Sequence, residues 1–273
     1  MPNKTITIFL PEGNPKGCRT AEFSRLDEKG ILIPRSKFKS AFSREENKQE
    51  GIYFLFGTDD EKTNPIVYIG ETKNGIERIE KHNSGNKKKV FWDKLILIIS
   101  KNKRYTKTHI EYLEALSISV ARECGRFELE NKDTPKQYSL PESMESDLQD
   151  SFETLKTLVS ILGYPLFESL IEESKEGDGE IFYCSGKDGE GEGLLTDDGF
   201  VIFKGSICQK TITQTAGPSL ISLREKLIND NILSLKDNTY VFSDNQLFSS
   251  PSAAANQILG RRSSGWIEWK NKE

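Results

Sequence analysis

The sequence is poor in the residues that build disulfide frameworks and histidine-based active sites. Its four cysteines are Cys18, Cys124, Cys184 and Cys208. They lie far apart and in no paired metal-ligand spacing, so we expect reduced thiols in a cytoplasmic protein. There are only two histidines, His82 and His109. A histidine-based zinc site and a Ser-His-Asp hydrolase are therefore both disfavoured.

Long apolar runs are missing as well. No stretch approaches the ~20 apolar residues that a membrane-spanning helix needs. The first residues, MPNKTITIFLPEGNPKG, have no long apolar core with a cleavage site, so we expect no signal peptide. With 35% hydrophobic and 29% charged residues and a mean hydropathy of −0.56, the sequence predicts a soluble protein with buried cores and no membrane contact.

The net charge of −4 conceals a basic segment followed by an acidic one. Residues 73–107 are rich in lysine and arginine, and residues 128–192 are rich in acids. A phosphate backbone responds to the local positive field, so the basic segment favours nucleic acid as a partner. The alternative is a charged, merely solvated surface. The nucleic-acid-binding candidates are Lys73, Lys87, Lys88, Lys89 and Arg104.

Five predicted elements follow one another in the middle of the chain. GIYFLF, starting at Gly51, and VYIGET, starting at Val67, are two apolar strands, and the turn-rich loop between them favours an antiparallel hairpin. GIERIEKH predicts a helix, VFWDKLILIIS a central strand, and TKTHIEYLEALSISVAREC a helix with a capping box at Thr108 and Glu111. The predicted order is β-β-α-β-α.

The rest of the chain divides into three further segments. TITIFL and GILIPRSKF predict short strands before the hairpin, and EESKEGDGE is an acidic, glycine-rich linker. After the linker, Ser250 and Gly260 are predicted to cap a helix, and GWIEWK is predicted to form a strand with two tryptophans on one side. The predicted domains are an N-terminal extension (1–48), the β-β-α-β-α module (49–140), a helix and linker (141–180), and an α+β domain (181–273).

The motifs GIY at 51–53 and YIG at 68–70, on one predicted hairpin, resemble the GIY-YIG nuclease family. A helix with Arg78 and a later helix with Glu114 follow in the family's order. The resemblance covers about residues 49–135, roughly a third of the chain. It implies an α+β fold with three antiparallel strands flanked by helices, beside a separate C-terminal α+β domain. It also implies a metal-dependent endonuclease that hydrolyses phosphodiester bonds, with DNA favoured over RNA.

The same resemblance assigns roles to the two tyrosines. Tyr53 is the candidate general base or water-orienting residue, and the alternative is a tyrosine that caps the core. Tyr68 would orient the water or bind a phosphate oxygen, and its alternative is a cross-strand aromatic. A phenol with an ordinary pKa of ~10 is a poor base near neutrality, so a nearby cation would have to lower that pKa. Gly51 is expected to serve packing.

Three further residues match the family on the helices and after them. Arg78 would clamp the scissile phosphate with two hydrogen bonds. His82 matches a histidine of some family branches and would relay a proton or hold a phosphate, unless it is a plain surface residue. Asn131 stands at the family's late asparagine and is expected to fix the tyrosine region, unless it is an ordinary loop residue.

Glu114 is the metal-ligand candidate. It falls at the edge of the apolar stripe of its helix, where a carboxylate needs a partner that a divalent cation supplies. YLEAL fits the family pattern better than HIEYL, so Glu111 is set aside. One carboxylate predicts one hydrated Mg²⁺ or Mn²⁺ rather than a two-metal site.

The C-terminal domain resembles a domain of unknown function that often follows GIY-YIG modules in bacterial proteins. Arg261 and Arg262 beside Trp266 and Trp269 would contact nucleic acid, or the tryptophans would fill a small core. We expect this domain to recognise the target or a protein partner. The competing hypotheses are a catalytically inactive nucleic-acid-binding protein and a protein-interaction adaptor. The sequence leaves the oligomeric state open.

Overall fold

The computed structural model of the protein describes residues 3–83, 91–133, 139–171, 180–213 and 216–271. The chain divides into two compact units, residues 1–59 with 64–168 and residues 60–63 with 169–273. The predicted acidic linker, residues 172–180, lies outside the described residues except for Glu180. The exact domain boundaries stay a prediction. In the part of the chain that is described, no helix is both long and apolar enough to cross a membrane.

Unit 1 is built on one sheet. Among the described residues it has seven strands in the order β1-β2-β3-β6-β4-β5-β7, antiparallel except for the β5–β7 pair. The strands are β1 (Ile6–Phe9), β2 (Arg19–Phe23), β3 (Glu28–Pro34), β4 (Gly51–Gly57), β5 (Ile66–Thr72), β6 (Trp92–Ser100) and β7 (Glu128–Leu129). β4 and β6 are interior strands, which explains their continuous apolar sequences.

Helices cover both faces of this sheet. They are α1 (Phe38–Ala41), α2 (Ile76–Asn83), α3 (Lys107–Cys124) and α4 (Glu142–Ile161). Side chains alternate along β4, so Ile52 and Phe54 pack into a core with α3 and α4. Tyr53 and Leu55 belong to a second core with α1 and α2. Each tyrosine-bearing strand therefore has a buried side on both faces, and its register is fixed.

The predicted β-β-α-β-α order is confirmed by β4, β5, α2, β6 and α3. The sheet is wider than the three predicted strands, because β3 pairs along its whole length with β6. Three strands within residues 6–34 therefore belong to the same sheet, and β2 is a strand that the sequence did not reveal. Gly51 has the packing role predicted for it, since a Cβ there would lie 2.1 Å from the Ile98 carbonyl oxygen.

The predicted start of α3 is wrong by two residues. The helix begins after Thr106, whose backbone N–H donates to Nδ1 of His109 at 3.3 Å. Glu111 forms an ion pair with Lys107, with Nζ and Oε1 3.1 Å apart, instead of a capping box with Thr108. The general Ser/Thr-x-x-Glu pattern misled because Thr106 and Thr108 both precede the apolar run.

Unit 2 has a sheet with three helices, α5 (Pro218–Asn229), α6 (Pro251–Leu259) and α7 (Gly265–Glu268), among its described residues. The central order of its strands is β12-β13-β11-β9-β10-β14, with β8 paired to β9 and β15 to β8. The strands are β8 (Ile181–Ser185), β9 (Glu190–Thr196), β10 (Gly199–Ile202), β11 (Ile207–Cys208), β12 (Leu233–Lys236), β13 (Thr239–Phe242), β14 (Gln246–Phe248) and β15 (Lys270–Asn271).

One helix of unit 2 matches the prediction, and the last segment contradicts it. α6 has Ser250 as its N-cap, accepting from the Ala253 N–H at 3.2 Å, and ends at Gly260 in the left-handed conformation. GWIEWK is mostly the short helix α7 rather than a strand. Trp269 is 2% exposed and packs on Phe200, whereas Trp266 is 58% exposed.

Candidate active site

The candidate site lies along the open edge of β5. β7 pairs only with the first two residues of β5. Beyond them, the Ile69 N–H donates to Oδ1 of Asn131 at 3.0 Å, and the Ile69 carbonyl accepts from Nδ2 of Asn131 at 2.8 Å. The next outward-facing amide, that of Glu71, donates to Oε1 of Glu114 at 3.2 Å. Two predicted site residues thus take the place of a neighbouring strand.

Asn131→Ala is expected to lower the free energy of unfolding by ~1–2 kcal/mol, because both hydrogen bonds to Ile69 are lost at a partly buried position. Urea denaturation measures this loss. Lys132→Ala is the matched control, since Lys132 is the exposed next residue. A loss below ~0.5 kcal/mol for Asn131→Ala would contradict a role of the amide in holding β5.

The rings of Tyr53 and Tyr68 contact each other at a tilt across the hairpin, next to a required glycine. Their ring centroids are 6.0 Å apart, with the ring planes at 41°. Tyr53 is directly opposite Gly70 in the register, and a Cβ at Gly70 would lie 2.5 Å from Cζ of Tyr53. The third letter of the YIG motif is therefore dictated by the ring of Tyr53, which needs the space that any side chain would fill.

The two phenols have unequal environments. Tyr53 is fully buried, and burial followed by the neighbouring Tyr68 raises its pKa far above the usual range. The pKa of Tyr68 is raised as well, mainly by burial, although a hydrogen bond shared with Tyr53 lowers it. The charge of Arg78 lowers the pKa of both. Tyr68 is therefore the phenol that deprotonates more readily, and its ionised oxygen would accept a hydrogen bond from Tyr53.

Arg78 reaches this edge from α2 and is held by an acid that the sequence did not single out. Its Nη1 lies 2.5 Å from Oε1 of Glu71, and the two side chains are 47% and 15% exposed. Burial opposes the guanidinium charge, but Glu71 outweighs it and the pKa of Arg78 rises. Glu71 thus contacts Arg78 through its side chain and Glu114 through its backbone. Its position directly after YIG is the sequence signal that could have identified it.

Glu114 sits in surroundings unfavourable to a lone carboxylate. Burial, and then the charge of Glu71, raise its pKa to about 7 against the hydrogen bond from the Glu71 amide. Oε2 of Glu71 is buried and has no hydrogen-bond partner among the described residues. Two crowded carboxylates, one with an unsatisfied oxygen, suit a hard divalent cation. The described part of the chain has no group of three or more His, Cys, Asp or Glu suited to a metal.

The other predicted site residues lie outside the described residues or contribute no contact to this cluster. The backbone of His82 lies in α2, but its side chain is outside the described residues, as are Lys87, Lys88 and Lys89. Lys73 is exposed in the turn between β5 and α2. Arg104 lies elsewhere, in a cleft that Asp27, Glu28 and Asp150 also line. The described structure therefore unites Tyr53, Tyr68, Arg78, Glu114 and Asn131, with Glu71 added.

Two segments of the chain match known family models. Residues 49–132 match the model of the GIY-YIG catalytic domain, and residues 182–273 match that of a Domain of unknown function (DUF4357). No curated protein and no solved structure matches the chain. Residues 49–132 are therefore similar to a GIY-YIG catalytic domain, and residues 182–273 to a domain of unknown function, as the motifs indicated.

Proposed function

We propose that the protein is a metal-dependent endonuclease that hydrolyses phosphodiester bonds in DNA. The observation that carries the proposal is the meeting of Tyr68, Arg78 and Glu114 at one open strand edge inside a GIY-YIG domain. Phosphodiester hydrolysis needs an oriented water, stabilisation of charge on the phosphate and help for the leaving oxygen. A base, a cation and a buried carboxylate are the groups that supply these functions.

Arg78 would bind the phosphate, and the two tyrosines would activate the attacking water. Arg78 is partly exposed, so its guanidinium is accessible to a phosphate and presents a planar fork for two oxygens. Tyr68 could take a proton from water only as its phenolate, and Arg78 and the hydrogen bond with Tyr53 both favour that ionised form. Tyr53 fixes the Tyr68 oxygen from within the core. Asn131 holds the strand segment that carries Tyr68.

Glu114, with Glu71 beside it, would hold one Mg²⁺ or Mn²⁺. Bound there, such a cation stabilises negative charge on the phosphate and on the leaving 3′-oxygen. Two carboxylates alone would leave the ion incompletely coordinated, so water and phosphate oxygens would supply its other ligands. Glu114 itself has to lose its proton before it serves as a ligand, and its pKa of about 7 places that step near neutrality.

The test is cleavage by the full chain on plasmid, linear, branched and single-stranded DNA and on RNA, with Mg²⁺, Mn²⁺ or EDTA. Metal-dependent strand cleavage of DNA supports the proposal. Cleavage of RNA alone would reassign the substrate. Binding to every nucleic acid without cleavage of any would replace the nuclease with a binding protein.

We further propose that the C-terminal domain recognises the target or a protein partner. Its described surface carries Trp266 at 58% and Ile267 at 70% exposure. Apolar side chains this exposed favour contact with another molecule, and Arg261 and Arg262 are exposed nearby. Trp266→Ala should weaken DNA binding if the domain contacts nucleic acid, and leave it unchanged if the partner is a protein.

A further inference from the structure

The geometry points to Glu71 as the resting counter-ion of Arg78, which a DNA phosphate replaces when substrate binds. This inference rests on the proposed function, because it deepens the role of Arg78 at the phosphate. It makes Glu71 a positioning residue that acts through Arg78.

The contact between Glu71 and Arg78 engages the atoms that a phosphate would use. Nη1 of Arg78 donates to Oε1 of Glu71 at 2.5 Å. A two-point grip on phosphate needs two neighbouring guanidinium N–H groups in the same plane. One of the terminal nitrogens of Arg78 is thus already bonded to Glu71. A phosphate that binds both terminal nitrogens has to displace the Glu71 carboxylate.

The surroundings of the pair favour an exchange over a permanent salt bridge. Arg78 is 47% exposed, so the ion pair opens toward solvent and is individually weak. Glu71 is 15% exposed and anchored by its backbone in β5, so it stays in place when its partner leaves. Arg78 sits on α2, which begins four residues after β5 ends, and its long side chain is the movable member.

Glu71 also orients the side chain of Arg78 before substrate binds. The charge of Arg78 reaches both phenols and Glu114, lowering the pKa of each. A free arginine on an exposed helix face samples many rotamers, and ordering it on binding costs entropy. The carboxylate of Glu71 holds the guanidinium at the site. A phosphate that replaces Glu71 therefore binds an arginine that is already ordered.

If DNA phosphate replaces the Glu71 carboxylate at Arg78, removing the charge of Glu71 should tighten DNA binding. Glu71→Gln removes the charge and keeps the shape, and its backbone N–H still serves Glu114. In EDTA at low salt, Glu71→Gln is expected to bind a short duplex about fivefold more tightly than the wild type. In an Arg78→Gln background, the same substitution should change affinity by less than about twofold.

A matched control separates this exchange from a general charge effect. Glu111→Gln removes an equal charge close enough to Glu114 to influence it, but Glu111 pairs with Lys107 rather than Arg78. We expect it to change affinity by less than about twofold. Fluorescence anisotropy gives the affinities, and thermal denaturation verifies that each variant is folded.

The outcomes are distinct for the inference and for the proposed function. Equal tightening by Glu71→Gln with and without Arg78, or no tightening at all, overturns the exchange even if the wild type cleaves DNA. Tightening that requires Arg78 supports the exchange even in a chain that does not cleave. Failure of every variant to bind DNA overturns both.

Discussion

Glu114→Gln is expected to lower the rate of DNA cleavage by about a thousandfold, equivalent to ~4 kcal/mol of lost transition-state stabilisation. The amide of glutamine keeps the hydrogen bond from the Glu71 N–H but is a poor ligand for Mg²⁺ or Mn²⁺. Single-turnover cleavage with saturating DNA and metal measures the effect. Glu111→Gln, the neighbouring carboxylate that pairs with Lys107, is the control and should stay within about threefold of the wild type.

The stability of the same variant shows whether lost activity reflects the site or the fold. Burial raises the pKa of Glu114 to about 7, above its value of 4.5 in an unfolded chain. The folded state therefore binds this proton more tightly, and the resulting stabilisation is complete below pH ~4.5 and is lost as the pH rises through ~7. Glutamine never ionises, so in EDTA the variant should be ~1–3 kcal/mol more stable than the wild type at pH 8.

Urea denaturation at pH 5 and pH 8 in EDTA tests this second consequence. The wild type should lose more stability than Glu114→Gln between the two pH values. Adding Mg²⁺ at pH 8 should stabilise the wild type and leave the variant unchanged, because a cation favours the ionised carboxylate. Equal pH dependence of the two proteins would mean that Glu114 is neither crowded nor buried as described.

The sequence could predict the elements of the site because its signals are local. The two glycine-tyrosine motifs lie on one hairpin, and Arg78 and Glu114 lie on helices with clear periodicity. Glu71 was missed because a charged residue at the end of a strand is an ordinary observation. Its meaning depends on β7 stopping after two residue pairs, so that α3 can present Glu114 to the bare amide of Glu71.

Non-local pairing explains the unpredicted width of the sheet. β3 and β6 are separated by more than fifty residues, and neither sequence indicates which strand it pairs with. The error at GWIEWK has a different cause. Trp266 and Trp269 are three residues apart, a spacing that places side chains on one face of a helix but on opposite faces of a strand. The structure has one helical turn there, with one tryptophan buried and the other exposed.

Tyr68→Phe is expected to reduce DNA cleavage by about a hundredfold, and Tyr53→Phe by about tenfold or less. The family resemblance made Tyr53 the candidate general base or water-orienting residue. In the folded protein Tyr53 is fully buried and its pKa is raised far above the usual range, which leaves Tyr68 the stronger acid of the pair. Removing the Tyr68 oxygen deletes the group proposed to take the proton, whereas removing the Tyr53 hydroxyl deletes only a hydrogen bond to Tyr68.

The pH dependence of cleavage distinguishes this assignment from a purely structural role. Tyr53 stabilises the ionised form of Tyr68 by donating to it, so Tyr53→Phe should raise the pKa of Tyr68 and shift the alkaline rise of the rate to higher pH. Tyr112→Phe, on the same helix as Glu114 but bonded to Glu145 and Gln149, is the control and should leave the profile unchanged. Loss of the residue that takes the proton from water should cost the most activity. A larger loss in Tyr53→Phe than in Tyr68→Phe would therefore make Tyr53 the base and Tyr68 the hydrogen-bond donor.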